Sequence, residues 1–238
     1  MQITSEVLTF LKKVVRTAEL VDIDNIIIET GCVRAIDDKK TVLIFQEDNI
    51  PILPFDSIGL NRTGVFTSRL QLAETRDNFT VDAILNTEGD QVISLTMKGA
   101  GMKIDYRCAN PTTVKAPKKM LDTLKYRVPL NSEAVMLLQR AHVAMPQLSD
   151  IQVVTILSNK DGVSFELADS NNDVFSHTFT LSAENLVDGE PVLFANRYPV
   201  KTLLSLFKQN PEGFFDIGEK GILNVVVNDL NVFVLPQV

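Results

Sequence analysis

The chain follows one structural plan twice, and that repeat limits its fold more than any single motif does. Ser5 to Ala18 (SEVLTFLKKVVRTA) sets Val7, Leu8, Leu11, Val14, Val15 and Ala18 on one apolar helical face. Ser132 to Val143 (SEAVMLLQRAHV) sets Ala134, Val135, Leu138 and Ala141 in the same register, again opening on Ser-Glu. Ser5 and Ser132 are the expected N-caps. An acidic turn and β-rich text follow each helix: Ile26-Ile27-Ile28 and Thr41 to Phe45 in the first half, Val153 to Leu157 and Val163 to Leu167 in the second. Further on, Asn61 to Thr67 and Asn196 to Thr202 share the pattern N-R-x-x-V-x-T, and each stretch opens a short helix that leads into hairpin-rich strands. Helix, strands, helix, strands, read twice, predicts an α+β fold of two repeated modules with two helices on the β-sheets of each. The expected division is 1–109, a Pro-, Thr- and Lys-rich connector over 110–125, and 126–238.

Composition narrows what such modules can do. A chain of 238 residues, 45% hydrophobic and 22% charged, supports packed cores and excludes a disordered or mini-protein class. No apolar run reaches the roughly 18–20 residues of a membrane span, and Met1 to Glu6 has neither the basic nor the apolar region of a secretory signal. A soluble, cytoplasmic protein is expected. Cys32 and Cys108 are too few for a disulfide framework or a zinc quartet and read as reduced packing residues.

Thirty acidic against 23 basic residues give a net charge of −7, which by itself argues against a nucleic-acid partner. Sorting the charge by segment reverses that inference. The helical segments 5–18, 62–74, 132–143 and 197–208 carry +2, +1, 0 and +3, which leaves −13 on the rest of the chain. On the first helix Lys12, Lys13 and Arg16 oppose the apolar stripe; on the fourth, Lys201 and Lys208 face away from Val200, Leu203, Leu204 and Phe207. Basic helices in an acidic protein suit contact with a phosphate backbone without base readout.

Catalytic chemistry has little to work with. His142 and His177 have no nucleophile motif beside them and read as structural or surface residues. Asp169 to Asp173 imitates the start of a calcium loop, but Val174 and Thr180 stand where glycine and glutamate are required, so the stretch reads as a hairpin turn. Gly99-Ala100-Gly101 lacks the third glycine of a dinucleotide site, and there is no Walker A sequence. Asn61-Arg62-Thr63 and Asn78-Phe79-Thr80 match glycosylation sequons that a cytosolic chain would not present to that machinery. Neither enzymatic activity, a cofactor nor a metal is expected.

Taken together, these features resemble the DNA sliding clamps, the processivity rings of replicative polymerases, over essentially the whole chain. Ala35-Ile36-Asp37 before the strand Thr41 to Phe45 looks like the A-M-D segment of eukaryotic and archaeal clamps. Leu230 to Val238 (LNVFVLPQV) looks like their last strand with its L-A-P-K-I ending, and Asn110 to Lys118 (NPTTVKAPK) is similar to a connector segment of phage clamps. Gln237 replaces the lysine of that ending and no acidic tail follows, which favours a phage or other viral clamp over a cellular one such as proliferating cell nuclear antigen (PCNA); the length sets the chain apart from the three-module bacterial clamps. The resemblance implies a homotrimeric ring around double-stranded DNA, a tethered DNA polymerase, and an ATP-driven clamp loader, in a bacterial host's cytoplasm if phage-encoded. DNA-facing candidates are Lys12, Lys13, Arg16, Arg62, Arg69, Arg140, Arg197, Lys201 and Lys208. A pocket for partner peptides would be lined by Ile36, Phe233, Leu235 and Pro236, with Leu121 or Leu124 from the connector. Subunits would pair through the edge strands Met102 to Cys108 and Val174 to Leu181. Two other readings compete: a viral processivity factor that holds DNA by charge without a ring, and a structural β-protein of a virion.

Overall fold

The computed structural model describes residues 1–119, 121, 125–144, 153–158, 162–168, 174–180, 185 and 193–237. Its contacts divide the chain between residues 120 and 121, with the turn 228–230 counted in the first unit.

In the first unit, α1 (Ser5–Leu20) precedes β1 (Asn25–Glu29), β2 (Cys32–Ile36), β3 (Val42–Gln46) and β4 (Ser57–Asn61). The second helix, α2 (Thr63–Glu74), leads into β5 (Thr80–Leu85), β6 (Gln91–Gly99) and β7 (Met102–Arg107). β1 pairs antiparallel with β2 and β4, and β2 with β3. β6 pairs antiparallel with β5 and β7, and Gln2 adds a bridge to Asp82 of β5. A short parallel contact between β4 and β6 joins the two ladders.

The second unit repeats the order: β8 (Tyr126–Pro129), α3 (Ser132–Ala144), β9 (Val153–Ser158), β10 (Gly162–Ala168), β11 (Val174–Thr180) and β12 (Phe194–Pro199), then α4 (Val200–Gln209), β13 (Phe214–Ile217), β14 (Leu223–Val227) and β15 (Leu230–Val234). Again the first strand after the helix, β9, pairs with the second and fourth, β10 with β11, and the opening strand β8 with β13, which pairs with β14. Both repeats lay the chain beyond the last strand against the fourth: Ala109 bridges Gly59, and Gln237 bridges Arg197. At Gly59 this approach leaves no room for a side chain, since a Cβ there would lie 2.5 Å from the Ala109 carbonyl oxygen.

Amphipathicity explains where the helices lie. α1 buries Val7, Phe10, Leu11, Val14, Val15 and Ala18, and α4 buries Val200, Leu203, Leu204, Leu206 and Phe207. Leu8, which the sequence places in the first stripe, is only half-buried; Phe10 fills that role. Phe207 packs on Phe215 of β13 and Phe165 of β10, with ring centroids 5.3 and 6.0 Å apart, so one helix residue touches both ladders of its unit. In the first unit Phe66 of α2 meets Tyr106 of β7 edge-on at 5.2 Å.

Both expected caps shift by one residue. Thr4 holds the extended conformation before α1 and accepts from the Val7 N–H, while Asn131 accepts from the Ala134 N–H ahead of α3 at 2.7 Å. The Ser132 hydroxyl is instead bonded to Glu212. The shared N-R-x-x-V-x-T pattern also differs in register. Val65 is the third residue of α2 and exposed, whereas Val200 is the first of α4 and buried, because β12 runs through Asn196 and Arg197 before its helix begins.

Asp216 is 4% exposed on β13 and receives two hydrogen bonds from Arg127 of β8, Nε to Oδ1 at 2.9 Å and Nη2 to Oδ2 at 3.1 Å. Arg127 also lies 3.9 Å over the Phe214 ring. Asp216→Ala is expected to lower the unfolding free energy by about 2 kcal/mol, since the arginine left behind reaches solvent and is not stranded. Lys98→Ala, which breaks the exposed pair with Asp82, should cost no more than about 0.5 kcal/mol. Urea titrations of the two variants check the contrast. By the same measurement Phe233→Ala should cost about 3–5 kcal/mol, because Phe233 is 1% exposed, and Leu235→Ala a fraction of that.

Candidate functional site

The strand-to-helix corners position the cations, and tyrosines hold both corners. In the first unit the Tyr106 hydroxyl donates to the Asn61 carbonyl and accepts the Asn61 N–H at 2.9 Å, pinning the residue before Arg62. Burial pushes the Tyr106 phenol up to about 12, so it remains a donor at neutral pH. In the second unit the Tyr198 hydroxyl donates to the Gly221 carbonyl at 2.5 Å. Gly221 has φ +76°, and a Cβ there would meet Asn196 and Tyr198 at 2.4 and 2.6 Å, so only glycine fits.

Arg62 is not on a helix. It occupies the left-handed residue ahead of α2, at φ 52°, exposed, with its guanidinium 5.8 Å over the Tyr106 ring. Arg197 likewise lies on β12 and not on α4. With these two outside and Glu19 inside, the net charge is +1 on α1, zero on α2 (Arg69, Glu74) and α3 (Glu133, Arg140), and +2 on α4. The helices therefore carry +3, half of the expected +6, while the remainder of the chain stays strongly acidic.

Several of the cations are already engaged. Lys12 is half-buried and paired with Glu74, tying α1 to α2, and Lys13 contacts Asp229 at 2.6 Å. Arg69 donates to the Asp105 carbonyl of β7 at 3.0 Å. Arg16, Arg140, Lys201 and Lys208 are exposed, with no ion pair to a described residue. α2 and α3 present apolar groups outward as well: Val65 and Leu72 on the first, Met136, Leu137 and Val143 on the second.

The peptide-pocket candidates separate. Ile36 is half-buried and lines a cleft of about 420 Å³ with Asp37, Asp38, Lys40, Thr113 and Val114, all in the first unit. Asp37 shapes the adjoining turn by accepting from the Thr41 and Val42 N–H groups at 2.7 and 2.8 Å. Phe233 is a core residue of β15 and lines no surface; Val232 and Val234 on either side of it are buried as well. Leu235, Pro236 and Leu121 are half-buried, and Leu124 lies outside the described residues. The connector is more structured than its composition suggests: Pro111–Thr113 forms a 3-10 turn capped by Asn110, and Arg34 of β2 reaches the Pro117 carbonyl.

The edge-strand expectation concerns β7 and β11. β7 pairs with β6 and β11 with β10, and neither has a ladder on its other side among the described residues. Leu181 and the turn Asp169 to Asp173 lie outside the described residues; β10 and β11 pair antiparallel from Ala168 and Val174 onward. Gly99 and Met102 face each other across the β6–β7 turn, which accounts for the Gly-Ala-Gly run. Both cysteines are free thiols, and burial pushes Cys108 up to about 12. Among the described residues no helix is long and apolar enough to cross a membrane, and no cluster of side chains is set to hold a metal ion.

No protein-family model matches the sequence, and no curated protein matches it. Solved structures do share its fold. PCNA from Thermococcus kodakaraensis is 16% identical with a TM-score of 0.61, over 100% of this chain and 99% of that one. The structure of A. fulgidus PCNA with the C-terminal region of FEN-1 bound is 15% identical with a TM-score of 0.61, over 96% and 95%. The C. crescentus beta sliding clamp is 13% identical with a TM-score of 0.68, over 100% of this chain and 65% of that one. The doubled helix-and-ladder plan, matched end to end in PCNA, is the fold of the DNA sliding clamps, and this chain has it.

Proposed function

We propose that the protein is a non-enzymatic sliding clamp: a homotrimeric ring that encircles double-stranded DNA and tethers a replicative DNA polymerase, encoded by a phage or other virus. The observation that carries this reading is the sliding-clamp fold with its exposed cations on helices of an otherwise acidic chain. The free sides of β7 and β11 supply the antiparallel edges through which neighbouring subunits would join. A nucleotide site is not legible in the sequence, so ring opening falls to a separate ATP-driven loader.

The modest helix charge favours encirclement over binding by charge alone. A ring held by topology needs only weak phosphate contacts, and strong ones would stall it; a factor that grips DNA by affinity needs many unpaired cations, and here Lys12 and Lys13 are neutralised internally. Arg16, Arg140, Lys201 and Lys208 are the lining residues proposed to touch phosphates, with Arg62, Arg69 and Arg197 beside them. Ile36, Leu235, Pro236 and Leu121 are proposed to receive partner peptides.

Light scattering over a dilution series should give a species of about 79 kDa, three copies of the 26.4 kDa chain. Once loaded, that species should stay on nicked circular DNA at high salt and leave when the circle is cut. A monomer that binds linear duplex steeply less as salt rises would favour the affinity factor, and a protein that leaves polymerase processivity unchanged would favour the virion protein. Joint replacement of Arg16, Lys201 and Lys208 by Glu should cut processive synthesis about tenfold or more while the urea midpoint stays at the wild-type value.

A further inference from the structure

The open side of β7 is covered in part by arginines of its own unit. The turn Ala100-Gly101 joins β6 to β7 with Gly99 opposite Met102, and at the other end of the strand the Cys108 N–H bonds to the Ile93 carbonyl of β6. Backbone groups alternate sides along a strand, so Met102, Ile104 and Tyr106 bond to β6, while the N–H and C=O groups of Lys103, Asp105 and Arg107 face outward. Arginine side chains already sit on the last two of those carbonyls. Arg69, in the middle of α2, donates from Nη1 to the Asp105 carbonyl at 3.0 Å. Arg62, just ahead of α2, reaches the Arg107 carbonyl with Nη2 at 3.5 Å while its guanidinium lies over the Tyr106 ring. β7 itself sets the position of Arg62, since the Tyr106 hydroxyl holds the preceding residue, Asn61, by its backbone. Among the described residues no side chain bonds to a carbonyl of β11, the other open edge.

We infer that Arg69 and Arg62 guard the β7 edge of the unassembled subunit, and that the strand of a neighbouring subunit must displace them in order to pair. The inference rests on the sliding-clamp reading and adds a control on ring closure to it. An uncovered strand edge is a template for any extended chain, and long cationic side chains laid across it keep it closed to indiscriminate partners. An antiparallel strand brings an N–H to each outward carbonyl, and at Asp105 and Arg107 that N–H competes with a guanidinium already in place. Closure therefore exchanges charge-assisted bonds for ladder bonds, which weakens association and reserves the edge for a strand that offers further contacts. A displaced guanidinium is left with free N–H donors in a fork that matches phosphate. By linkage, a ligand that takes up the freed arginines favours pairing, and the duplex within the proposed ring is such a ligand. Ring closure and DNA contact then support each other.

The test is sedimentation velocity of the full-length protein over a dilution series, with and without a short linear duplex. Replacing Arg62 and Arg69 together by Ala should lower the concentration at which subunits assemble by about three- to tenfold, the effect of one modest hydrogen bond no longer lost at each closing edge. Arg76→Ala, which removes an exposed cation just beyond α2, should leave that concentration unchanged. Arg107→Pro removes the same charge but deletes an outward N–H, and should raise the assembly concentration by about tenfold or more while the urea midpoint stays near wild type. Lys103→Pro repeats that deletion at the other end of the strand. Duplex should favour assembly of the wild type more than that of the Arg62/Arg69 variant. An unchanged or higher assembly concentration in the Arg62/Arg69 variant, with either proline variant still dissociated, overturns the inference and leaves the clamp reading in place. Wild-type assembly in both proline variants, or a monomer in wild type and the Arg62/Arg69 variant alike at every concentration, overturns that reading and this inference with it.

Discussion

The packing of Phe207 onto the strands beneath it is the contact on which the second unit depends. Its ring lies against Phe215 on one ladder and Phe165 on the other, and Phe165 in turn meets Phe179. A helix held at one aromatic residue by two ladders cannot roll without opening the core, and rolling is what would move Lys201 and Lys208. The orientation of the cations is therefore a by-product of core packing. Phe66 against Tyr106 ties α2 to β7, with the Tyr106 hydroxyl also fixing the corner at Asn61.

Electrostatics in this chain is restrained. An acidic protein with basic helices could have built a strongly attractive surface, yet Lys12 and Lys13 meet Glu74 and Asp229, and Arg69 is tied to a backbone carbonyl. The exposed helical cations without an ion pair to a described residue are few: Arg16 on α1, Arg140 on α3, and Lys201 and Lys208 at the two ends of α4. In the proposed ring so few free cations suffice, because topology supplies the retention that charge does not.

Much of the architecture could be read along the chain. The apolar stripes of α1, α3 and α4, the strands that follow them and the repeat itself all rest on local periodicity, which the backbone reports at 3.6 or 2 residues. Residue-level matches between the halves were less dependable. N-R-x-x-V-x-T lies at different registers in α2 and α4, and both caps fall one residue before the serines, because adjacent capping residues are equivalent in sequence and the first helical residue decides between them. Phe233 illustrates the same limit: a motif placed it on a surface, while Val232, Phe233 and Val234 are all buried in the folded strand.

The sequence by itself determined the element order, the doubled plan and the absence of catalytic motifs, since each depends only on nearby residues. Which cations stay free was decided by tertiary structure, because Lys12 and Glu74 are 62 positions apart and become partners only when α1 and α2 pack. The Arg127–Asp216 pair and the close approach at Gly59 arise in the same way. Charge interactions act over a few ångströms in space, and chain position does not encode that distance until the core has formed.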